Sequence, residues 1–174
     1  MKTFIDLQEG VYDPNILKAF FLAGGPGSGK SYVVQRTTGG MGMRIVNSDI
    51  EFEKKLKDAG LSLDIRELDP TVRDEIRGRA KKITAKRRAN YVEGRLGLII
   101  DGTGKDYDKI ANQATKLKQL GYDVHMIFVN TSLDTALKQN ATRSRKLPDS
   151  MVTQLWNDVQ KNIGKFSQFF RRNF

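Results

Sequence analysis

Short apolar runs alternate along this chain with longer stretches in which apolar residues return every three or four positions. Ala19-Phe20-Phe21-Leu22-Ala23, Met43-Arg44-Ile45-Val46-Asn47, Gly97-Leu98-Ile99-Ile100 and Val124-His125-Met126-Ile127-Phe128-Val129 have the length and content of strands. The third is apolar throughout and suits a central position covered on both faces. Helical spacing is predicted from Tyr32 to Arg36, from Lys54 to a stop at Gly60, and from Thr71 to about Glu93, where Val72, Ile76, Ala80, Ile83 and Tyr91 recur. Further helices are predicted from Tyr107 to Leu120 and from Ser132 through Leu137. A single C-terminal helix should run from about Asp149 with Val152, Leu155, Trp156, Val159, Ile163, Phe166, Phe169 and Phe170 on one core-facing stripe. The first eighteen residues are turn-rich, with Asp13 placed to cap a short helical turn at Pro14.

Strands alternating with helices predict an α/β domain: three layers, a mainly parallel central sheet, and a ligand crevice at the carboxyl ends of the strands. No repeat or linker interrupts the pattern, so residues 1–174 are expected to form one domain.

The first strand runs into Gly24-Gly25-Pro26-Gly27-Ser28-Gly29-Lys30-Ser31, which fits G-x-x-x-x-G-K-[ST] at every fixed position and leads into a helix. Glycines let successive backbone N–H groups point into one concavity, and the helix start adds its positive end, so the loop is built to hold phosphates. It predicts the P-loop NTPase fold. The nucleotide-binding set is Gly25, Pro26, Gly27, Ser28, Gly29, Lys30, Ser31 and Tyr32, with ATP and Mg²⁺ as cofactors. Lys30 should reach the β- and γ-phosphates, and the Ser31 hydroxyl should ligate Mg²⁺.

Two carboxylates follow strands. Asp49 lies just beyond the second and should face the same crevice, where phosphoryl transfer needs a carboxylate to orient or deprotonate the acceptor hydroxyl. Ser48 or Asp49 is equally placed to cap the next helix, with Glu51 and Glu53 in its first turn. Asp101 ends Ile99-Ile100-Asp101-Gly102-Thr103 and reads as a Walker B carboxylate near Mg²⁺ or its bound water. Downstream, Arg143 and Arg145 precede Leu147-Pro148 and suit a lid over residues 139–148, where guanidinium groups can stabilise charge on the transferring group.

Composition then narrows the classes. No cysteine is present and there is one histidine, which excludes a disulfide framework and a thiolate zinc site; His125, inside a strand, stays outside the site. No apolar run approaches a membrane span, so a soluble intracellular protein is expected. The net charge is +10. Much of it falls in the predicted 71–93 helix: Arg73, Arg77, Arg79, Lys81, Lys82, Lys86, Arg87 and Arg88. Concentrated charge between the second and third strands suits a phosphodiester-bearing acceptor, with residues 54–95 as the acceptor-binding region. Asp49, Lys82, Lys86, Arg87 and Thr103 are the candidate acceptor contacts. A small phosphorylated metabolite or a merely solvated face would account for the same charge.

With these motifs in order, the chain from Phe20 to about Val152 resembles the zeta-toxin and polynucleotide-kinase-like branch of P-loop kinases. The resemblance implies transfer of the ATP γ-phosphate to a hydroxyl, with Asp49 as base on the acceptor and Arg143 and Arg145 as lid residues on the ATP phosphates. Zeta toxins usually carry glutamate where this chain has Asp101, and their lid is longer. Polynucleotide-kinase-like relatives imply a nucleic-acid acceptor, either a 5′-hydroxyl end or, as in some bacteriophage kinases, a hydroxymethyl pyrimidine in DNA. A zeta-toxin-like nucleotide-sugar or nucleoside kinase and a nucleotide-gated DNA-binding ATPase remain the alternatives.

Overall fold

The computed structural model describes residues 13, 15–38, 40–143 and 146–174. Four strands, β1 (Lys18–Ala23), β2 (Arg44–Val46), β3 (Leu98–Asp101) and β4 (Asp123–Phe128), make one parallel sheet in the order β2-β3-β1-β4. Among the described residues the α-helices are α1 (Lys30–Thr38), α2 (Ser48–Asp58), α3 (Pro70–Glu93), α4 (Tyr107–Gln119), α5 (Leu133–Thr142), α6 (Asp149–Gln160) and α7 (Ile163–Phe170). The expected α/β architecture is present, and the apolar third strand is internal, with Leu98 and Ile99 buried. The cap placed at Pro14 falls on a residue outside those described.

Strand alternation sends Ala19, Phe21, Ala23, Val124 and Met126 to one face, where Ala114 and Leu117 of α4 and Phe166 and Phe170 of α7 close the main core. Phe52, Leu56 and Ala80 form a second, smaller core between α2 and α3, edged by Leu61, Leu63, Ile65, Leu68 and Ile76. The helix pair therefore has its own apolar seam rather than borrowing the sheet's.

Two local expectations need correction. The cap of α2 is neither Ser48 nor Asp49 but Asn47, whose side chain accepts from the Asp49 amide at 2.7 Å; Asn47 is the last extended residue, so its oxygen can reach forward to the first helical N–H groups. The single C-terminal helix is instead two, α6 and α7, broken at Lys161 and Asn162. Asn162 is buried, and its amide donates to the carbonyls of Gly104 (3.0 Å) and Lys105 (2.9 Å). A buried amide with two good acceptors across the fold outweighs helix continuity, because leaving it unpaired costs about 1–3 kcal/mol. The break turns α7 so that Phe166 and Phe170 enter the main core.

Candidate active site

The C-terminal ends of β1, β2 and β3 carry the glycine loop, Asn47-Ser48-Asp49 and Asp101. β1 passes into the glycine loop, which is fastened from both sides: the Gly24 amide donates to the Thr103 carbonyl (2.9 Å) and the Val129 amide to the Ala23 carbonyl (2.8 Å). Three loop glycines have positive φ, Gly24 at 151°, Gly27 at 74° and Gly29 at 88°. Space makes two of them irreplaceable. A Cβ on Gly24 would stand 2.5 Å from the Val129 carbonyl oxygen, and one on Gly27 would stand 2.4 Å from that of Ala136 in α5. The cradle therefore exists only because these positions lack side chains.

Lys30 opens α1 and turns back over the loop, donating to the Gly24 carbonyl at 2.7 Å and that of Gly25 at 3.1 Å. The Ser28 hydroxyl is buried at the loop without a hydrogen-bond partner. A buried, orphaned hydroxyl in a ring of glycine amides is a poor arrangement for folding alone and suits a phosphate oxygen. Ser31 and Tyr32 begin the exposed face of α1, with the Arg36 guanidinium over the Tyr32 ring at 5.4 Å.

Asp101 ends β3 and is largely buried. Burial pushes its carboxyl above the usual carboxylate range, and the nearby negative charge of Asp49 adds to this; Lys30, a hydrogen bond from Asn47 and the charge of Arg143 pull the other way. Lys30, Asp49, Asn47 and Arg143 thus share one electrostatic neighbourhood around Asp101. Asn47 is its joint. Its amide donates to Asp101 Oδ2 at 2.6 Å while its oxygen accepts from the Asp49 backbone amide, joining the Asp101 carboxylate to the start of α2.

Among the described residues no cluster of three ligating side chains occurs. The donor set still fits Mg²⁺ delivered with a nucleotide, since that ion keeps waters and phosphate oxygens and takes one or two protein ligands. Ser31 and Asp101 would supply them, and a cation would relieve the buried carboxylate. This gives a prediction for protein without nucleotide or metal. A carboxyl raised in the folded state costs stability as pH climbs from the ordinary value of about 3.9 through the raised one. Asp101→Asn should raise Tm at pH 7, with the gain fading in acid. A lower Tm at pH 7 would show that the attractions of Lys30 and Asn47 outweigh burial.

Asp49, expected to face the acceptor, lies in the first turn of α2 and pairs with Arg77 of α3 at 2.9 Å. Arg77 also lies over the Phe52 ring at 5.0 Å. Arg87 pairs at 2.8 Å with Glu51, whose carboxylate is buried, so part of its charge is committed inside the protein. Lys82 and Lys86 are exposed and lie five and nine positions beyond Arg77, which puts them roughly on the opposite side of a 3.6-residue helix. They are not gathered with Asp49. Thr103 is at the crevice floor through its carbonyl bond to Gly24.

Arg143 caps α5 within electrostatic reach of Asp101. Arg145 lies outside the described residues. Buried Asn140 donates to the Leu147 carbonyl at 2.8 Å and accepts from the Leu147 amide at 3.1 Å, tying α5 to the residue before Pro148. Asn47, Arg77 and Asn140 were missed as site residues. Arg77 had a signal, sitting beside Ile76 at the margin of the apolar stripe of α3; the two asparagines had none beyond their positions at element ends.

The family model for zeta toxin matches residues 13–168. No curated protein matches the sequence. Among solved structures, the AvrRxo1-ORF1:ORF2 complex with ATP superimposes with a TM-score of 0.70 at 14% identity, over 87% of this chain and 49% of that one. A chain of the Pnkp1/Rnl/Hen1 RNA repair complex gives 0.66 at 17% identity, over 94% and 49%. A chain of the PezAT chromosomal toxin–antitoxin system of Streptococcus pneumoniae gives 0.62 at 17%, over 88% and 66%. The chain therefore spans about half the length of the first two, and these likenesses speak to its fold.

Proposed function

The chain belongs to the zeta toxin family, and we propose that it is an ATP-dependent phosphotransferase moving the γ-phosphate to a hydroxyl group. The observation that carries the reading is a glycine loop too tight for any side chain at Gly24 or Gly27, with Lys30 turned back over it and Asn47 joining Asp101 to the start of α2. ATP when bound supplies the transferable phosphoryl group. Lys30 and the loop amides hold its phosphates, and Ser31 and Asp101 hold Mg²⁺. Asp49 orients the acceptor hydroxyl and takes its proton. Arg143, with Arg145, covers the charge that develops during transfer.

The acceptor is proposed to lie on nucleic acid, at a 5′-hydroxyl end or a hydroxymethyl pyrimidine. The exposed cations Lys82 and Lys86 support that reading. A second reading, a small phosphorylated metabolite, is favoured by the pairing of Arg73, Arg77, Arg79 and Arg87 with Asp74, Asp49, Glu75 and Glu51, which leaves less charge for a long polyanion. Transfer of label from γ-labelled ATP with Mg²⁺ to DNA, RNA, hydroxymethylated DNA, nucleosides and nucleotide sugars separates them. Label on a polynucleotide is expected. Label only on small molecules moves the protein to the second reading, and release of phosphate without any labelled acceptor overturns the transferase assignment.

A further inference from the structure

We infer that Trp156 is a positioning residue for nucleotide binding: its indole backs the start of the glycine loop and holds the Gly24-Gly25 backbone in place when Lys30 turns to a phosphate. The inference rests on the reading of this loop as the seat of the ATP phosphates.

Two glycines in succession leave the peptide unit between them unusually free to rotate, because neither brings a Cβ to limit it. Gly24, with φ of 151°, already uses that freedom. The Gly24 and Gly25 carbonyls are held by the Lys30 ammonium, at 2.7 and 3.1 Å. A phosphate drawn into the loop competes for the same ammonium, and a charge-assisted bond to an anion is stronger than one to a neutral carbonyl. The carbonyls it leaves must stay where they are, or the amides that follow lose their aim and the loop its preorganisation.

Trp156 supplies a second hold, one for which an anion does not compete. A Cβ on Gly25 would lie 3.7 Å from the Trp156 Cα, 3.9 Å from its Cβ and 3.8 Å from its ring carbon Cδ1, ordinary van der Waals distances. Packing alone does not set the ring: Nε1–H donates to the Thr131 carbonyl at 2.8 Å. Thr131 follows β4, which is itself bonded to the root of the loop through the Val129 amide and the Ala23 carbonyl. The indole therefore closes a circuit through β1, the glycine loop, α6 and the segment after β4. Further along the chain, Gln160 donates to the Asn130 side chain at 2.8 Å, and Asn162 donates to the Gly104 and Lys105 carbonyls. Of these three side chains, Trp156 is the one set against the phosphate loop.

Trp156 is the single tryptophan of the chain, so indole emission reports on this site. Titration of the wild-type protein with ATP and Mg²⁺ should change that emission along the binding curve that calorimetry gives. ADP should reproduce the change and adenosine should not, because the contact is with the loop that takes the phosphates. Flat emission across the curve, or an equal response to adenosine, would overturn the inference. Trp156→Ala should raise the Kd for ATP roughly 5- to 30-fold, the loss expected for one hydrogen bond with its packing. Trp156→Phe keeps a ring without the N–H donor and should fall between wild type and alanine; it also carries the test if the alanine variant does not fold. Wild-type Kd in the folded variants, judged by Tm, would overturn the inference. Gln160→Ala removes a bond between the same helix and the segment after β4 but leaves Gly25 untouched. An equal rise in Kd there would assign the effect to the docking of α6 and overturn the inference too. ATP and ADP that fail to bind the wild-type protein defeat the reading of the glycine loop instead; binding that ignores Trp156 defeats only this inference.

Discussion

Replacing Asp49 with asparagine is expected to cut phosphoryl transfer by roughly 10²- to 10⁴-fold, the usual contribution of a positioned general base, with ATP affinity and Tm nearly unchanged. The separation follows from where the residue sits. Asp49 belongs to α2, and its backbone amide, not its carboxylate, makes the cap bond with Asn47. The glycine loop leaves β1 and is fastened to Thr103, and Lys30 donates back to its Gly24 carbonyl. Asparagine keeps an oxygen for Arg77 but cannot take a proton. Labelled transfer to the best acceptor, with nucleotide binding measured alongside, checks this. Full activity in Asp49→Asn would remove it from the base role, and lost ATP binding would mean that the carboxylate organises the donor side.

Gly27→Ala should be nearly as damaging, for a different reason. The new methyl would meet the Ala136 carbonyl at 2.4 Å and the Ala136 Cα at 3.1 Å, both backbone atoms of α5 that no rotamer change can move. The position also has φ of 74°, which alone costs an L-residue about 1–2 kcal/mol. With overpacking added, a loss of about 2–5 kcal/mol and of nucleotide binding is expected. Gly29→Ala is the control, since its φ is 88° but nothing lies within 4 Å of the added carbon. It should lose only about 1–2 kcal/mol of stability. Equal denaturant midpoints for the two variants would show that α5 yields and that the close approach does not shape the loop.

The parts of this molecule that could be read from the sequence are those with a period or a fixed spacing. The strands, the 24-residue α3 and the glycine loop fall in this group, because apolar repeats and invariant offsets survive without knowledge of neighbours. Asp101 could be found because it ends an apolar strand downstream of such a loop. The joints were not legible. Asn47 is an ordinary cap residue until β3 places Asp101 against its other side, and Asn162 breaks a helical stripe only because Gly104 and Lys105 lie across from it. Arg77 was one of eight basic residues on α3, and choosing among them requires knowing how α2 crosses that helix.

The separate apolar seam between α2 and α3 has a bearing on descent. Lys30 and Asp101 ride on the sheet and its large core, whereas Asp49, Phe52 and Arg77 ride on the small one built around Phe52, Leu56 and Ala80. Asn47 joins the two, with one bond to β3 and one to α2. Under the proposed reading, the handling of ATP and the choice of acceptor are then two heritable modules. A lineage can redraft residues 48–93 and meet a new target while the older donor machinery passes unaltered, provided that one asparagine is kept.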